Sequence, residues 1–376
     1  MVVWINNINN NKLKKKVKSL GKPEWRMMLD YAADLHDKSI HPADTLFPYP
    51  WEEIGPGYCC GTAFGHWDIV HQALDVLSAE PEHAKNQILN NLALQQPDGF
   101  LPGTIWVNKE KKWGREAGHP SVWPVVVREY YDLFGEIQLL EQCYESLVRQ
   151  IGWFERERKA ETKGFYYTDI LSRKWESGVD DGVRFDGAAT GALSCVDATS
   201  HVYWMYKHAA EWSNLLEKDG TPFEEKAHEL KMFIREKLFD EETGFFHDIW
   251  AAGIPSKRHF ALEGMWPVVV GAALEEQAKR VIDENFLNPE RFFSDHPLSS
   301  VGIEDPLFEL RLWRGPAWNS MTYWAARGCI CYGRKDAAVK ILEKALDATA
   351  VQFERTGTIW EYYHPFLGDQ MEVKRK

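Results

Sequence analysis

Two kinds of helical segment alternate along this chain, and that alternation limits the fold more than any other feature. Segments such as PFEEKAHELKMFIREKLF (222–239) and RKDAAVKILEKALDATAVQFE (334–354) are charged and amphipathic. Others, within 121–132, 262–274 and 317–332, are aromatic and apolar almost around their whole girth. A helix with one apolar stripe covers a core, whereas a helix apolar on all sides has to be enclosed by others. Apolar spacing at the helical period marks eleven segments: 23–38, 65–80, 81–96, 121–136, 137–158, 197–218, 222–239, 262–274, 275–287, 317–333 and 334–354. Outer and inner segments pair about six times at similar spacing, the repeat pattern of helical hairpins set in a ring. The expectation is an all-α (α/α)6 toroid. Strand signals are few and short, among them GFYYTDI (164–170) and GTIWV (103–107).

The longer connections, 40–64, 97–120, 159–196, 240–261, 288–316 and 355 onward, precede inner segments and hold most of the Gly, Pro, Trp and carboxylate residues. In a toroid such loops converge on one mouth, where functional side chains collect above a rigid scaffold. No Pro/Ser-rich linker divides the chain, so residues 1–376 read as a single domain, with 1–20 a polar N-terminal extension.

A net charge of −12 argues against nucleic acid and anionic membranes as partners, because both call for a basic surface. The start, MVVWINNINNNKLKKKVKSL, has no apolar core of a secretory signal, and no stretch has the length of a membrane span, so the expected location is cytoplasmic. The cysteines, Cys59, Cys60, Cys143, Cys195, Cys329 and Cys331, form no CxxC pair and read as reduced and structural. The 17 tryptophans fit either a Trp-rich core or a site that stacks the flat C–H face of a sugar.

RKWESGVDDGVRFDG (173–187) crowds Glu176, Asp180, Asp181 and Asp186 among glycines, with the aromatics Trp175 and Phe185 beside them. Hydrolysis of a glycosidic bond needs one carboxyl group held protonated for the leaving oxygen and a second carboxylate to activate water. Like charges and aromatic walls raise a carboxyl pKa by repulsion and desolvation. Asp180 is the candidate acid, with Trp175, Glu176, Asp181 and Phe185 around it and Arg184 countering part of the charge. The plainer reading is an acidic loop that binds nothing, or a calcium loop, although the alternation and terminal Glu of an EF-hand are missing. In GTIWEYYHPFLGD (357–369), Glu361 beside Trp360 is either a buried structural carboxylate or a general base. In ELRLWRGPAWNSMTYW (309–324), Pro316 can begin a helix, so Trp313, Arg314 and Trp318 cluster at its mouth. The alternative there is a helix-start turn with a surface arginine. Trp67 and Asp68 open the 65–80 segment, where an acidic residue is also favoured by the helix dipole alone. The stripe His201, Trp204, His208 reads as core packing, with no further metal ligand in register, and no GxSxG, HExxH or phosphate-loop motif is present.

WESGVDDGVRFD, LWRGPAWNSMTYW and WEYYHPFLGD, in that order, resemble the inverting α-glycosidases of glycoside hydrolase family 63 and the related trehalases, a group that includes processing α-glucosidase and mannosylglycerate hydrolase. The resemblance runs from about residue 60 to 369. It implies that Asp180, in the ESG-hydrophobic-D segment at 176–180, is the general acid, and that Glu361, in the segment with Tyr363, Pro365 and Gly368, is the base. Trp313-Arg314-Gly315-Pro316 matches the WRGP loop, and Trp67-Asp68 the early WD pair. Larger members carry an N-terminal β-sandwich that this chain has no room for. The family also places one more inner helix after the base, where only QMEVKRK remains here. The last inner helix is thus expected to be missing, leaving three options: NKLKKKVKSL closes the ring, the wall is open there, or the chain is shortened.

The expected function is an inverting glycoside hydrolase that cleaves an α-linked terminal sugar, glucosyl or related, from a small glycoside or oligosaccharide. Asp180 and Glu361 are the catalytic pair. Trp67, Asp68, Trp175, Glu176, Arg184, Trp313, Arg314, Trp318 and Trp360 are the substrate-binding candidates. No metal or cofactor is called for, and an open edge leaves room for a homo-oligomer. The alternatives are a sugar epimerase or lyase on the same fold, using His119, His201 or Tyr363, and a non-catalytic, degenerate glycan-binding toroid.

Overall fold

Each of the eleven expected segments carries helix in the computed structural model of the protein, which describes residues 10–57, 61–107, 117–172, 175–370 and 372–374. A further helix, Asn10–Val17, lies in the N-terminal extension and packs on Arg26–Lys38, burying Leu13 and pairing Lys14 with Asp34. The ends follow local chemistry. Pro81 and Pro124 begin Pro81–Ala93 and Pro124–Phe134, where a missing N–H costs nothing. Gly135 and Gly357 end Pro124–Phe134 and Lys335–Thr356 in the left-handed region, both at φ 70, and donate to Tyr131 O and Phe353 O.

Three segments depart from the expectation. The 222–239 segment is α-helical over Thr221–Phe233 and finishes in a π turn, Ile234–Leu238, while 275–287 is Glu275–Arg280 followed by Val281–Phe286 in π geometry. The 262–274 segment is only a 3-10 turn, Leu262–Met265, and a short helix, Trp266–Val269. It stops because Gly271 turns left-handed at φ 73 and Ala272 N–H donates to Pro267 O at 2.8 Å, one residue wider than an α turn. GFYYTDI forms no strand: Phe165 bridges Lys159 alone and Thr168–Ile170 is a 3-10 turn. GTIWV does, as Thr104–Trp106. Among the described residues the strands form two-stranded antiparallel ribbons, Ala63–Gly65 with Thr104–Trp106, Ile40–His41 with Trp51–Glu52, and Phe239–Asp240 with Phe245–Phe246, and the remaining β pairing is isolated bridges.

The chain forms two compact units, one of residues 1–155 with 207–222, the other of 156–206 with 223–376. In the first, Phe47, Trp51, Phe64, Ile69, Leu94 and Ile105 make a buried cluster. In the second, Asn319–Cys331 lies against Trp266–Val269 so closely that a Cβ on Gly328 would sit 3.2 Å from Val268. Trp324 is fully buried there, 5.6 Å from Trp266 and 5.9 Å from Trp204. That is how a helix without a polar face is accommodated.

Cys143, Cys195, Cys329 and Cys331 are free thiols, whereas Cys59 and Cys60 lie outside the described residues. Among the described residues no helix is long and apolar enough to cross a membrane.

Candidate active site

The first motif sorts its own carboxylates. Glu176 is buried, 1% exposed, and takes a bidentate clasp from Arg158, whose Nε donates at 3.1 and 3.0 Å and Nη2 at 2.9 Å. The backbone N–H of Thr168 donates to the same carboxylate at 2.6 Å. Ser177 is anchored beside it, with N–H and Oγ–H donating to Asp169 at 3.0 and 2.8 Å. Burial pushes the Asp169 carboxyl up to about 8, against the pull of the Ser177 hydrogen bonds. Gly178 turns left-handed at φ 75, Val179 is buried, and Asp180 emerges exposed. Glu and Ser thus fasten the loop, and Asp is the carboxylate it presents. Trp175 is also exposed, at 45%. Arg173 and Lys174 lie outside the described residues.

Farther along the loop, Arg184 is buried among three carboxylates. It pairs with Asp197 through Nη2, with Asp248 through Nη1 at 2.8 Å and with Glu263 through Nε at 2.9 Å. Phe185 packs on the guanidinium, 4.4 Å from ring centre to Cζ. Burial pushes Asp248 up to about 6 and Glu263 up to about 7, while Arg184 pulls both down. Ligand atoms of Cys195, Asp197 and Asp248 lie within 4.8 Å of one another, and the Arg184 guanidinium already pairs with both carboxylates. A neighbouring cavity of about 10 Å³, lined in part by Arg184, His247 and Asp248, has room for one water and not for a sugar. Arg184 therefore anchors the loop from inside.

The second motif closes on the first. Arg314 Nη1 lies 2.6 Å from Asp186 and its Nη2 3.5 Å from Asp181, while Arg311 Nη1 donates to Asp181 at 2.8 Å. Trp313 and Trp318 are buried and stacked face to face, with centroids 3.6 Å apart and planes at 5°. The third motif joins the second through the backbone: Ala317 and Tyr363 exchange N–H to O bonds, both of 2.9 Å, and Tyr362 packs 4.8 Å from Trp318. Tyr363 is fully buried and accepts from the Trp360 N–H at 3.0 Å, leaving Trp360 and Glu361 exposed.

The second unit thus links all three motifs and divides the candidates. Glu176, Arg184, Trp313, Arg314 and Trp318 are buried and engaged within the protein, while Trp175, Asp180, Trp360 and Glu361 face solvent. In the first unit, Asp68 opens Asp68–Leu77 and Trp67 packs edge-on to His71 at 4.7 Å. Gly65 makes room for Asp68, since a Cβ there would lie 2.0 Å from its carboxylate. His201 is a core residue, bonded through Nδ1 to Tyr167 Oη at 2.8 Å and edge-on to Trp266. Burial pushes it down to about 3. Arg158, Asp169, Asp197, Asp248 and Glu263 escaped the sequence reading. Their only signal was placement of a charge in an apolar setting, as in SCVDATS (194–200) and FFHDIWAA (245–252).

Residues 64–374 match the Mannosylglycerate hydrolase MGH1-like glycoside hydrolase domain family, and the chain belongs to it. Among solved structures, the GH63 mannosylglycerate hydrolase from Thermus thermophilus in complex with Tris and D-glycerate superposes with a TM-score of 0.72 at 18% identity, covering 94% of this chain and 97% of that one. The same enzyme in complex with glucose gives 0.70 at 19% identity, covering 94% and 97%. Neutral trehalase Nth1 from Saccharomyces cerevisiae gives 0.68 at 16% identity, covering 87% of this chain and 71% of that one. The predominantly helical fold, without a closed sheet among the described residues, is consistent with the (α/α) toroid type of these glycosidases.

Proposed function

We propose, taking membership of this glycoside hydrolase family as the premise, that the chain is an inverting α-glycosidase acting on a terminal glucosyl or related sugar of a small glycoside. Asp180 donates a proton to the leaving glycosidic oxygen. Glu361 takes a proton from the water that attacks the anomeric carbon from the opposite face, so the product has inverted configuration. The reading places the two carboxyl groups about 6.5–9.5 Å apart, which leaves space for that water. Trp175 and Trp360 offer indole faces to sugar C–H groups, and the bound ring then excludes bulk water while leaving the attacking water beside Glu361. Trp313 and Trp318 support the loops from beneath. In the first unit, Trp67 and Asp68 carry the same proposal as a stacking face and a hydroxyl acceptor. One catalytic domain, a cytoplasmic setting and no cofactor complete the reading.

One observation carries it. Of the carboxylates in the first and third motifs, Asp180 and Glu361 are the exposed ones, and each shares its loop with an exposed tryptophan. Exposed indoles beside exposed acids on braced loops are the surface a sugar site needs.

Aryl α-glucosides, aryl α-mannosides, short disaccharides and mannosylglycerate form the screen, with NMR of the first-formed anomer. The β-anomer is expected. Asp180→Asn and Glu361→Gln should each lower kcat by about 10²–10⁴-fold, with melting temperatures near wild type. Near-normal turnover in either variant removes that residue's role. Sugar binding by calorimetry with no release at high enzyme points to a glycan-binding protein instead, and deuterium uptake from heavy water into the sugar points to an epimerase or lyase.

A further inference from the structure

The chain beyond the third motif returns to the second. Lys374 N–H donates to Leu310 O at 3.0 Å and Leu312 N–H donates to Lys374 O at 2.9 Å, a parallel bridge centred on Arg311. Both bonds are made by backbone, and the Lys374 side chain is exposed. The loop so gripped carries Arg311, Trp313 and Arg314.

Leu312 is the reason the grip matters. Its φ is 43, in the left-handed region that a residue with a side chain enters only at a cost. Such a conformation persists where its surroundings over-determine it. Held this way, Leu312 O accepts from Trp318 Nε1 at 3.0 Å, which fixes the ring stacked on Trp313. One residue before Leu312, Arg311 holds Asp181, the neighbour of Asp180; two residues after it, Arg314 holds Asp186. A short chain of contacts therefore runs from the tail to the loop that presents Asp180. Glu372 adds a longer contact, 3.9 Å to His364 Nε2, and being exposed it contributes little.

We infer that residues 372–374 act as a strap, adding a strand to 310–312 so that Leu312 stays left-handed and the Trp313–Trp318 stack and the Asp180 loop keep their positions. Lys374 is then a positioning residue that works through its backbone N–H. The activity readout rests on the hydrolase reading, whereas the structural readout does not.

The test compares Lys374→Pro, which removes that N–H, with Lys374→Ala, which keeps it, in the full chain. Lys374→Pro should lower kcat/KM on an aryl α-glycoside by about tenfold, mainly through KM, and weaken the near-UV circular dichroism of the stacked indoles, at unchanged far-UV signal. Lys374→Ala should match wild type in both. Adding Leu312→Gly to Lys374→Pro should restore most of both signals, because glycine needs no strap to hold that φ. The strap is overturned if Lys374→Pro keeps wild-type kcat/KM and near-UV signal, or if Lys374→Ala falls as far. Should the wild-type chain cleave none of the glycosides, the near-UV comparison decides alone: loss in Lys374→Pro with recovery on Leu312→Gly supports the strap, and an unchanged spectrum ends it.

Discussion

Each unit buries an ion cluster, and the two have opposite proportions. In the first unit one carboxylate, Glu52, meets two imidazoles, His36 Nδ1 at 2.6 Å and His83 Nε2 at 2.9 Å. In the second, one guanidinium, Arg184, meets Asp197, Asp248 and Glu263. Burial opposes charge in both places, but the partners decide the outcome. Around Glu52 the imidazoles outweigh burial and hold its carboxyl below the usual range. Burial likewise opposes charge on His36, and the hydrogen bonds to Asp75 and Glu52 outweigh it, lifting that imidazole to about 10. Around Arg184 one cation cannot serve three anions, and burial lifts Asp248 and Glu263 instead. The first cluster is stabilised by its charges, whereas the second becomes more stable as its carboxyls take up protons.

The sharpest way to break this contrast is to remove the shared ion of each cluster. Arg184→Met strands three buried carboxylates and should cost about 3–5 kcal/mol, read as a lower urea midpoint and faster proteolysis of the second unit. A midpoint equal to wild type would mean that the carboxylates hold themselves by protonation alone. Glu52→Gln should cost less, about 1–3 kcal/mol in thermal melts, because the His36 imidazole can shed a proton and an amide still accepts a hydrogen bond. A larger loss than that of Arg184→Met reverses the ranking.

The smallest effect separates the clusters by pH. Asp169, Asp248 and Glu263 have folded values of about 8, 6 and 7 against ordinary values of 3.8, 3.8 and 4.5, so the stability from their bound protons is complete below about 4 and is lost as pH rises through the folded values. His36 contributes stability that is complete below its ordinary 6.5 and is lost progressively as pH rises from there through about 10. Glu52, held low, contributes above its ordinary 4.5 and loses that as pH falls through its depressed value. Between about pH 4.5 and 6.5 the second unit should therefore lose protection while the first holds. Hydrogen exchange corrected for intrinsic rates should show about a tenfold loss at 196–206 and a flat response in Pro81–Ala93. Equal loss in both would remove the distinction.

The helices were legible because their signal is local. Apolar spacing placed Gln138–Glu157 and Lys335–Thr356 to within a residue or two at either end. The same signal overran at 262–274, where apolar residues continue past Val269 but Gly271 reverses the chain, and it did not anticipate the π turns that end two charged helices. The three motifs were legible as words, and their order led to the family. The division of labour inside them was not. Glu176 and Asp180 are both acidic and four residues apart, yet Arg158 takes the first into the interior and the second stays at the surface. Arg184 read as a residue facing sugar and is an anchor whose partners lie 13, 64 and 79 positions away.

Local pattern settled where the chain coils, which loops are long and which residue types they offer, because those depend on neighbours three or four positions apart. It could not tell an acid that stays at the surface from an acid that braces the interior. That depends on whether a cation from elsewhere in the chain arrives to make burial of the charge affordable, and the packed molecule alone brings Arg158 to Glu176, and Asp248 and Glu263 to Arg184.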